Sequence, residues 1–193
     1  MKHQIPQDSL ESSTLQEIAS NPEVFGKVIE RYHPELKRFI QRISFFQSED
    51  VEDILQDSYI KAYKNIHRYD ISMKFSTWLY HIVRNTTIDE IRRVSRRPKL
   101  YSLEEEDIAR IFKSEHASDT EVLRNEDVQL LKEALSSLPE KYREVLTLRY
   151  LEEKSYEEIM DIIEIPKGTV AARINRAKTM LAQKLPDTNL FHT

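Results

Sequence analysis

The sequence predicts an all-α protein: two small helical domains joined by an acidic flexible linker, the second a four-helix domain ending in a short helix, a turn and a basic helix. Three observations carry this. Apolar residues recur at the three- and four-residue spacing of a buried helix face on both sides of residues 98–118. Residues 98–118 break that pattern, with Glu104, Glu105, Glu106 and Asp107 in a row. Charged residues make up 32% and hydrophobic residues 39% of the 193, which suits small helical domains with modest cores.

Composition also excludes several classes of function. There is no cysteine, so neither disulfides nor thiolate metal sites can form. Glycine occurs only at Gly26 and Gly168, which rules out a glycine-rich nucleotide loop. The six histidines (His3, His33, His67, His81, His116, His192) are scattered without ligand-pair spacing, so no metal and no cofactor is expected. No nucleophile sits beside a base, and no catalytic residue is assigned. No apolar run approaches the ~20 residues of a membrane span and the N-terminus has no signal-peptide core; no membrane insertion and a cytoplasmic location are expected.

Net charge is −4, which taken whole argues against nucleic acid. The charge is segmented, however. Residues 27–99 hold 15 basic and 10 acidic side chains, 101–135 hold 4 and 10, 136–165 hold 4 and 8, and 166–193 hold 5 and 1. A nucleic-acid-binding pattern is therefore local, and the acidic parts meet a different partner or only water.

Residues 1–20 are polar and unpatterned and read as a mobile lead. Asn21, Pro22 and Glu23 then supply a cap, a first-turn proline and an acid. Phe25, Val28, Ile29, Tyr32, Leu36, Phe39, Ile40 and Ile43 follow at helical spacing, with Pro34 expected to kink or break the helix near its middle. A second helix over 49–66 opens with acids, as the helix dipole favours. It has Val51, Ile54, Leu55, Ala62 and Ile66 as a buried stripe, while Glu49, Glu52, Asp53, Gln56 and Asp57 share the opposite side. Such an acidic patch is either a solvated face or a docking face. Residues 67–75 have no apolar period and read as a loop. Residues 76–97 resume as helix, with Trp78, Leu79, Ile82, Val83, Ile88 and Ile91 inward; the outer positions hold Lys74, Arg84, Arg92, Arg93, Arg96 and Arg97. Rings beside cations suit single-stranded DNA, where rings stack on bases and cations hold phosphate. Trp78 and Tyr80 suit a core equally well.

Beyond the acidic stretch, which includes a short expected helix at 107–112, Ser118 and Glu121 offer a capping box. Val128, Leu131, Ala134, Leu135 and Leu138 line a helix up to Pro139, which begins the next, through Val145, Leu146 and Leu151. Ser155 and Glu158 make another capping box ahead of Ile159, Ile162 and Ile163. Pro166 cannot continue that short helix but suits the start of another. There Val170, Ile174, Ala177 and Leu181 form an inward stripe, and the other faces carry Lys167, Arg173, Asn175, Arg176 and Lys178. A short helix, a turn and a basic amphipathic helix is how helix-turn-helix proteins enter the DNA major groove. An ordinary helical hairpin with a solvated basic face reads the same way. Residues 186–193 form a short polar tail.

The wording of these segments is more specific than their periodicity. GTVAARINRAK after a proline, SYEEI upstream and LPEKYREVLTLRYLE before that resemble region 4 of the extracytoplasmic-function sigma factors, bacterial subunits that bring RNA polymerase to promoters. DVEDILQDSYIKAYKNI resembles region 2.2, which docks on the polymerase β′ coiled coil. FSTWLYHIVRNTTIDEIRR resembles regions 2.3 and 2.4, which open and read the −10 element. The resemblance runs in the family's order over roughly 21–185. It implies region 2 at 21–97, a linker at 98–118 directed toward the polymerase cleft, and region 4 at 119–185.

The same resemblance implies site residues. Core-polymerase binding falls on Asp53, Gln56 and Asp57, where the two carboxylates would make charge-assisted bonds with a basic coiled coil. Contacts to the −10 element fall on Tyr69, Asp70, Ser72, Met73, Lys74, Trp78, Asn85, Arg92 and Arg93. In that family the loop ahead of the helix forms a pocket for a base turned out of the stack, and Asn85 matches a position that contacts it. Contacts to the −35 element fall on Lys167, Thr169, Ala171, Ala172, Arg173, Asn175, Arg176 and Lys178. Ala171 and Ala172 depart from the commonest motif, which has a basic residue and a serine there; they offer only methyl contacts. The partners implied are core RNA polymerase, through its β′ coiled coil and β flap, and promoter DNA as duplex and single strand; an anti-sigma factor is a further candidate. The function implied is promoter recognition and opening, with no covalent chemistry by the chain itself. On the residues alone two rivals stay open: a dimeric helix-turn-helix repressor needing no polymerase, and a helical nucleic-acid hydrolase using the acids of 49–57 at a metal.

Overall fold

The computed structural model describes residues 17–44, 46–94 and 133–184. The fold is all-α. In chain order it comprises α1 (Pro22–Ile43), α2 (Ser48–Asn65), a 3-10 turn (Ile66–Arg68), α3 (Phe75–Val94), α4 (Glu140–Leu146) continued by a π-helical turn (Thr147–Leu151), α5 (Tyr156–Ile163) and α6 (Lys167–Lys184). The chain divides into two compact units, one carrying most of the first 98 residues and the other most of the rest. Several expectations lie outside the described residues: the lead before residue 17, Arg96 and Arg97, the linker at 98–118 with its helix at 107–112, the Ser118–Glu121 cap, Val128 and Leu131, and the tail at 186–193.

In the first unit, α1 starts where expected: the Asn21 Oδ1 accepts the Glu23 N–H at 3.0 Å, with proline at the first helical position. Phe25, Val28, Ile29, Leu36, Phe39, Ile40 and Ile43 are buried. Two expectations change here. The helix runs through Pro34 without a break. Pro34 takes one donor from the ladder, leaving the Glu30 carbonyl without its helical partner, but both residues are exposed and water can satisfy that oxygen. The chain is also ordered earlier than read. Residues 17–20 are helical and Ile18 is fully buried; Ile5, Leu10, Leu15 and Ile18 are too sparsely spaced among polar residues to show a sustained helical period.

α2 packs against α3. The start of α2 is fixed by Asp50, whose Oδ2 accepts the Gln47 N–H at 3.3 Å. Its inner face is Val51, Ile54, Leu55, Ser58 and Ala62. The buried face of α3 mixes Phe75, Leu79, Tyr80, Val83 and Ile88 with Ser76, Thr77, Thr86 and Thr87. Two of these hydroxyls bond their own helix: Thr87 donates to the Val83 carbonyl at 2.8 Å and Thr86 to that of Ile82 at 3.0 Å, whereas Thr77 Oγ1 is buried without a hydrogen-bond partner among the described residues.

In the second unit, α4 packs against α6. The Arg143 guanidinium is buried and donates to the carbonyls of Ser136 and Leu138, closing the end of the preceding turn. The capping box forms as expected, Glu158 N–H to Ser155 Oγ at 3.1 Å and Ser155 N–H to Glu158 Oε2 at 2.8 Å. Both ends of the α5 segment pass through left-handed backbone at glutamates, Glu153 and Glu164, each with φ 53°. Pro166 then anchors α6, its carbonyl accepting the N–H of Thr169 at 2.8 Å and of Val170 at 3.1 Å. Val170, Ile174, Ala177 and Leu181 are all buried, as their spacing predicts.

Candidate nucleic-acid and polymerase interfaces

The acids of α2 divide by direction. Glu52 turns to its own chain: its carboxylate lies 2.5 Å from the Lys37 ammonium and 3.6 Å from His33 Nε2. His33 Nδ1 in turn lies 3.1 Å from the Tyr59 hydroxyl, whose pKa is raised by burial and then by the Glu52 charge. Asp53, Gln56 and Asp57 are exposed at positions i, i+3 and i+4 of one face. Among the described residues neither aspartate has an ion-pair partner. Ile60, one turn further, is 52% exposed, a large apolar side chain left in water. Sequence reading missed it, although its i+3 and i+4 spacing from Asp57 and Gln56 is the available signal.

The stretch read as a plain loop is built more firmly than expected. The Tyr69 ring is buried, edge-on to Phe75 at 5.4 Å and 5.4 Å from Trp78. Its hydroxyl donates to the Met73 carbonyl at 2.6 Å, and burial, then the Tyr32 and Asp70 charges, pushes its pKa up to about 12. Tyr69 is thus a support beneath the loop and not a ring on its surface. Asp70 Oδ1 accepts the Ser72 N–H at 2.9 Å, and the Met73 N–H returns to the Asp70 carbonyl at 3.1 Å. Those bonds to Ser72 hold the Asp70 carboxyl below its usual range. The tight turn so formed puts Ile71 at its tip, 53% exposed, beside exposed Ser72 and Lys74. Ile71 was also missed, since a lone isoleucine in a loop shows no periodicity.

Trp78, expected to point inward, is half-buried. Asn85, seven residues further along α3, is held within its own helix. Arg84 Nη1 donates to its Oδ1 at 3.0 Å, which leaves its amide N–H facing His81 Nε2 at 3.1 Å. Arg92 and Arg93 are exposed, but acids on the same helix accompany them: Asp89 lies 3.6 Å from Arg92, and Glu90 grips Arg93 with two bonds of 2.6 and 2.7 Å.

On α6 the expected residues separate into three groups. Thr169, Ala172, Asn175 and Arg176 are exposed along one face, with Thr179 continuing it. Ala171 and Arg173 are half-buried on its flank. Lys167 and Lys178 are engaged by neighbours. Lys167 is ion-paired with Glu157 of α5, and the Lys178 ammonium lies 5.6 Å from the centre of the Tyr150 ring in the π-helical turn. Arg149 lies 5.5 Å from the Tyr156 ring and donates to the Lys154 carbonyl at 3.0 Å, bracing the approach to α5.

Comparison with known proteins identifies the family and the fold. Residues 28–97 match the family described as Sigma-70 region 2, and residues 129–181 match Sigma-70, region 4. The ECF RNA polymerase sigma factor SigW of Bacillus subtilis is 34% identical over 174 residues, covering 86% of this chain and 90% of its own. The ECF RNA polymerase sigma-E factor of Haemophilus influenzae is 32% identical over 166 residues, covering 83% and 87%. Among solved structures, CnrH in complex with the cytosolic domain of CnrY gives a TM-score of 0.64 at 22% identity, covering 92% of this chain and 97% of that one. The sigma factor RpoE of Bartonella quintana, in complex with the anti-sigma factor NepR, gives 0.63 at 24% identity, covering 84% and 96%. These two likenesses speak for the fold. The repressor reading finds no support among the relatives. No helix among the described residues is long and apolar enough to cross a membrane. With both sigma regions matched in order and relatives of this identity over most of their length, the chain belongs to the extracytoplasmic-function sigma factors of the sigma-70 superfamily, which direct RNA polymerase to promoters.

Proposed function

We propose that this sigma factor docks on core polymerase through α2, opens and reads the −10 element with the 69–74 turn and α3, and reads the −35 element with α6. The observation that carries the proposal is the division of acids on α2. Glu52 is ion-paired from within, whereas Asp53 and Asp57 are exposed with Gln56 between them. A basic coiled coil meeting this face gains two charge-assisted contacts and an apolar anchor at Ile60.

At the −10 element, Ile71 at the tip of the turn is an apolar side chain of the kind that wedges between bases. Ser72, Lys74 and half-buried Trp78 line the same turn, with Met73 holding its far end. Asn85 arrives pre-oriented, and its amide keeps a second N–H and a second lone pair for a base edge. Arg92 and Arg93 contribute phosphate contacts reduced by their acidic neighbours. At the −35 element, Thr169, Ala172, Asn175 and Arg176 face bases, while Arg173 and Lys178 flank the backbone. The region boundaries are 21–97 and 119–185, with 98–118 as linker, and region 4 meets the polymerase β flap. The chain performs no covalent chemistry itself and acts in the cytoplasm with polymerase. An anti-sigma factor is a further partner, as NepR is for the fold relative RpoE.

Titrating core polymerase with Asp53→Lys and Asp57→Lys tests the docking face. Each substitution weakens binding by ~2 kcal/mol or more, while thermal melting shifts little because the sites are exposed. Unchanged affinity returns the patch to a solvated face.

A further inference from the structure

α5 opens with two adjacent glutamates whose carboxylates take separate tasks. Glu158 closes the capping box with Ser155 and so folds the helix. Glu157 reaches across the turn to the ammonium of Lys167, the first residue of α6. That bond, above all, holds the Glu157 carboxyl below its usual range. The side chains of Lys167 and Glu157 are 58% and 60% exposed, and a pair so exposed adds little to folding stability. Its position is more informative. In a helix-turn-helix the first helix crosses the phosphate backbone and the N-terminal end of the second enters the groove. Glu157 is in the first turn of α5 and Lys167 in the first turn of α6, so both lie where backbone phosphate approaches. A phosphate there competes with Glu157 for one ammonium and meets a fixed negative charge. By contrast, exposed Arg176 has no ion pair among the described residues.

We propose that Glu157 is an intramolecular substitute for a DNA phosphate, an electrostatic brake that occupies Lys167 and limits the sequence-independent attraction of region 4 to duplex. The inference rests on α6 being the −35 reader. Phosphate contacts position a protein but carry no sequence information. Damping one of them while leaving Arg176 unpaired lowers the time spent on arbitrary DNA without touching base readout.

The test uses reconstituted holoenzyme, a promoter duplex, and a duplex with its −35 element scrambled, at 50 and 200 mM salt. Glu157→Gln tightens binding to both duplexes by the same factor. That advantage shrinks roughly threefold at the higher salt, because one added phosphate contact steepens the log–log slope by about 0.9. Adding Lys167→Ala to Glu157→Gln restores the wild-type slope, which a mere rearrangement of α5 would not do. An unchanged slope in Glu157→Gln, or a steeper slope that survives Lys167→Ala, overturns the inference while wild type still prefers the intact −35 duplex. Wild-type holoenzyme indifferent to the −35 scramble overturns the α6 reading and the inference with it.

Discussion

The two units present the side chains proposed to meet DNA by different means. In the second, the exposed residues Thr169, Ala172, Asn175, Arg176 and Thr179 follow from helix geometry alone, because Val170, Ile174, Ala177 and Leu181 are buried behind them. In the first, the exposed residues Ile71, Ser72 and Lys74 sit on a turn that exists because Tyr69 is buried beneath it and bonds the Met73 carbonyl. A helix face tolerates loss of any one outward side chain, since the backbone ladder sets its shape. A supported turn depends on its support.

The largest expected effect separates the two designs by stability. Tyr69→Ala removes a buried ring from the Phe75–Trp78 cluster and costs about 3–5 kcal/mol, read by denaturant or thermal unfolding of the first unit. Arg176→Ala leaves stability within about 0.5 kcal/mol and instead weakens promoter binding by about 1–3 kcal/mol, with relaxed preference at one or two base pairs of a randomised −35 library. An even loss across all sequences, with a shallower salt slope, would make Arg176 a phosphate contact. A finer cut is Tyr69→Phe, which keeps the ring but loses the bond to Met73. It costs about 1 kcal/mol in unfolding and lowers open-complex yield more than promoter binding. The last effect is a gain: Glu164→Gly relieves left-handed backbone at the end of α5 and stabilises the second unit by about 1 kcal/mol, seen as a raised melting temperature.

The same contrast explains which parts could be read from the chain. Periodicity placed the inward stripe of α6, the Ser155–Glu158 cap and the Pro166 break, because each is set by residues within a few positions of one another. The buried tyrosine of the turn was not accessible that way. Its burial comes from Phe75 and Trp78, six and nine residues on, folding back over it. Pro34 does not break α1: one donor is lost from the ladder, but Glu30, whose carbonyl it orphans, is exposed to water. Charge type was readable but charge pairing was not. The acids of α2 look equivalent in sequence, yet Lys37 and His33 from α1 claim Glu52 and leave Asp53 and Asp57 outward. Lys167 and Lys178 likewise look like free cations until Glu157 and Tyr150 come into place beside them.

The proposed division, in which the turn of the first unit opens the −10 element while the helix face of the second holds the −35 element, is decided by measuring, in one reconstituted holoenzyme, closed-complex affinity and permanganate reactivity of −10 thymines for Ile71→Ala, Asn85→Ala and Arg176→Ala. The first two should keep closed-complex affinity and lose thymine reactivity, since capturing an unstacked base must offset a few kcal/mol. Arg176→Ala should lose closed-complex affinity and keep the reactivity of whatever complex still forms. Equal loss of both quantities in all three variants would contradict the division.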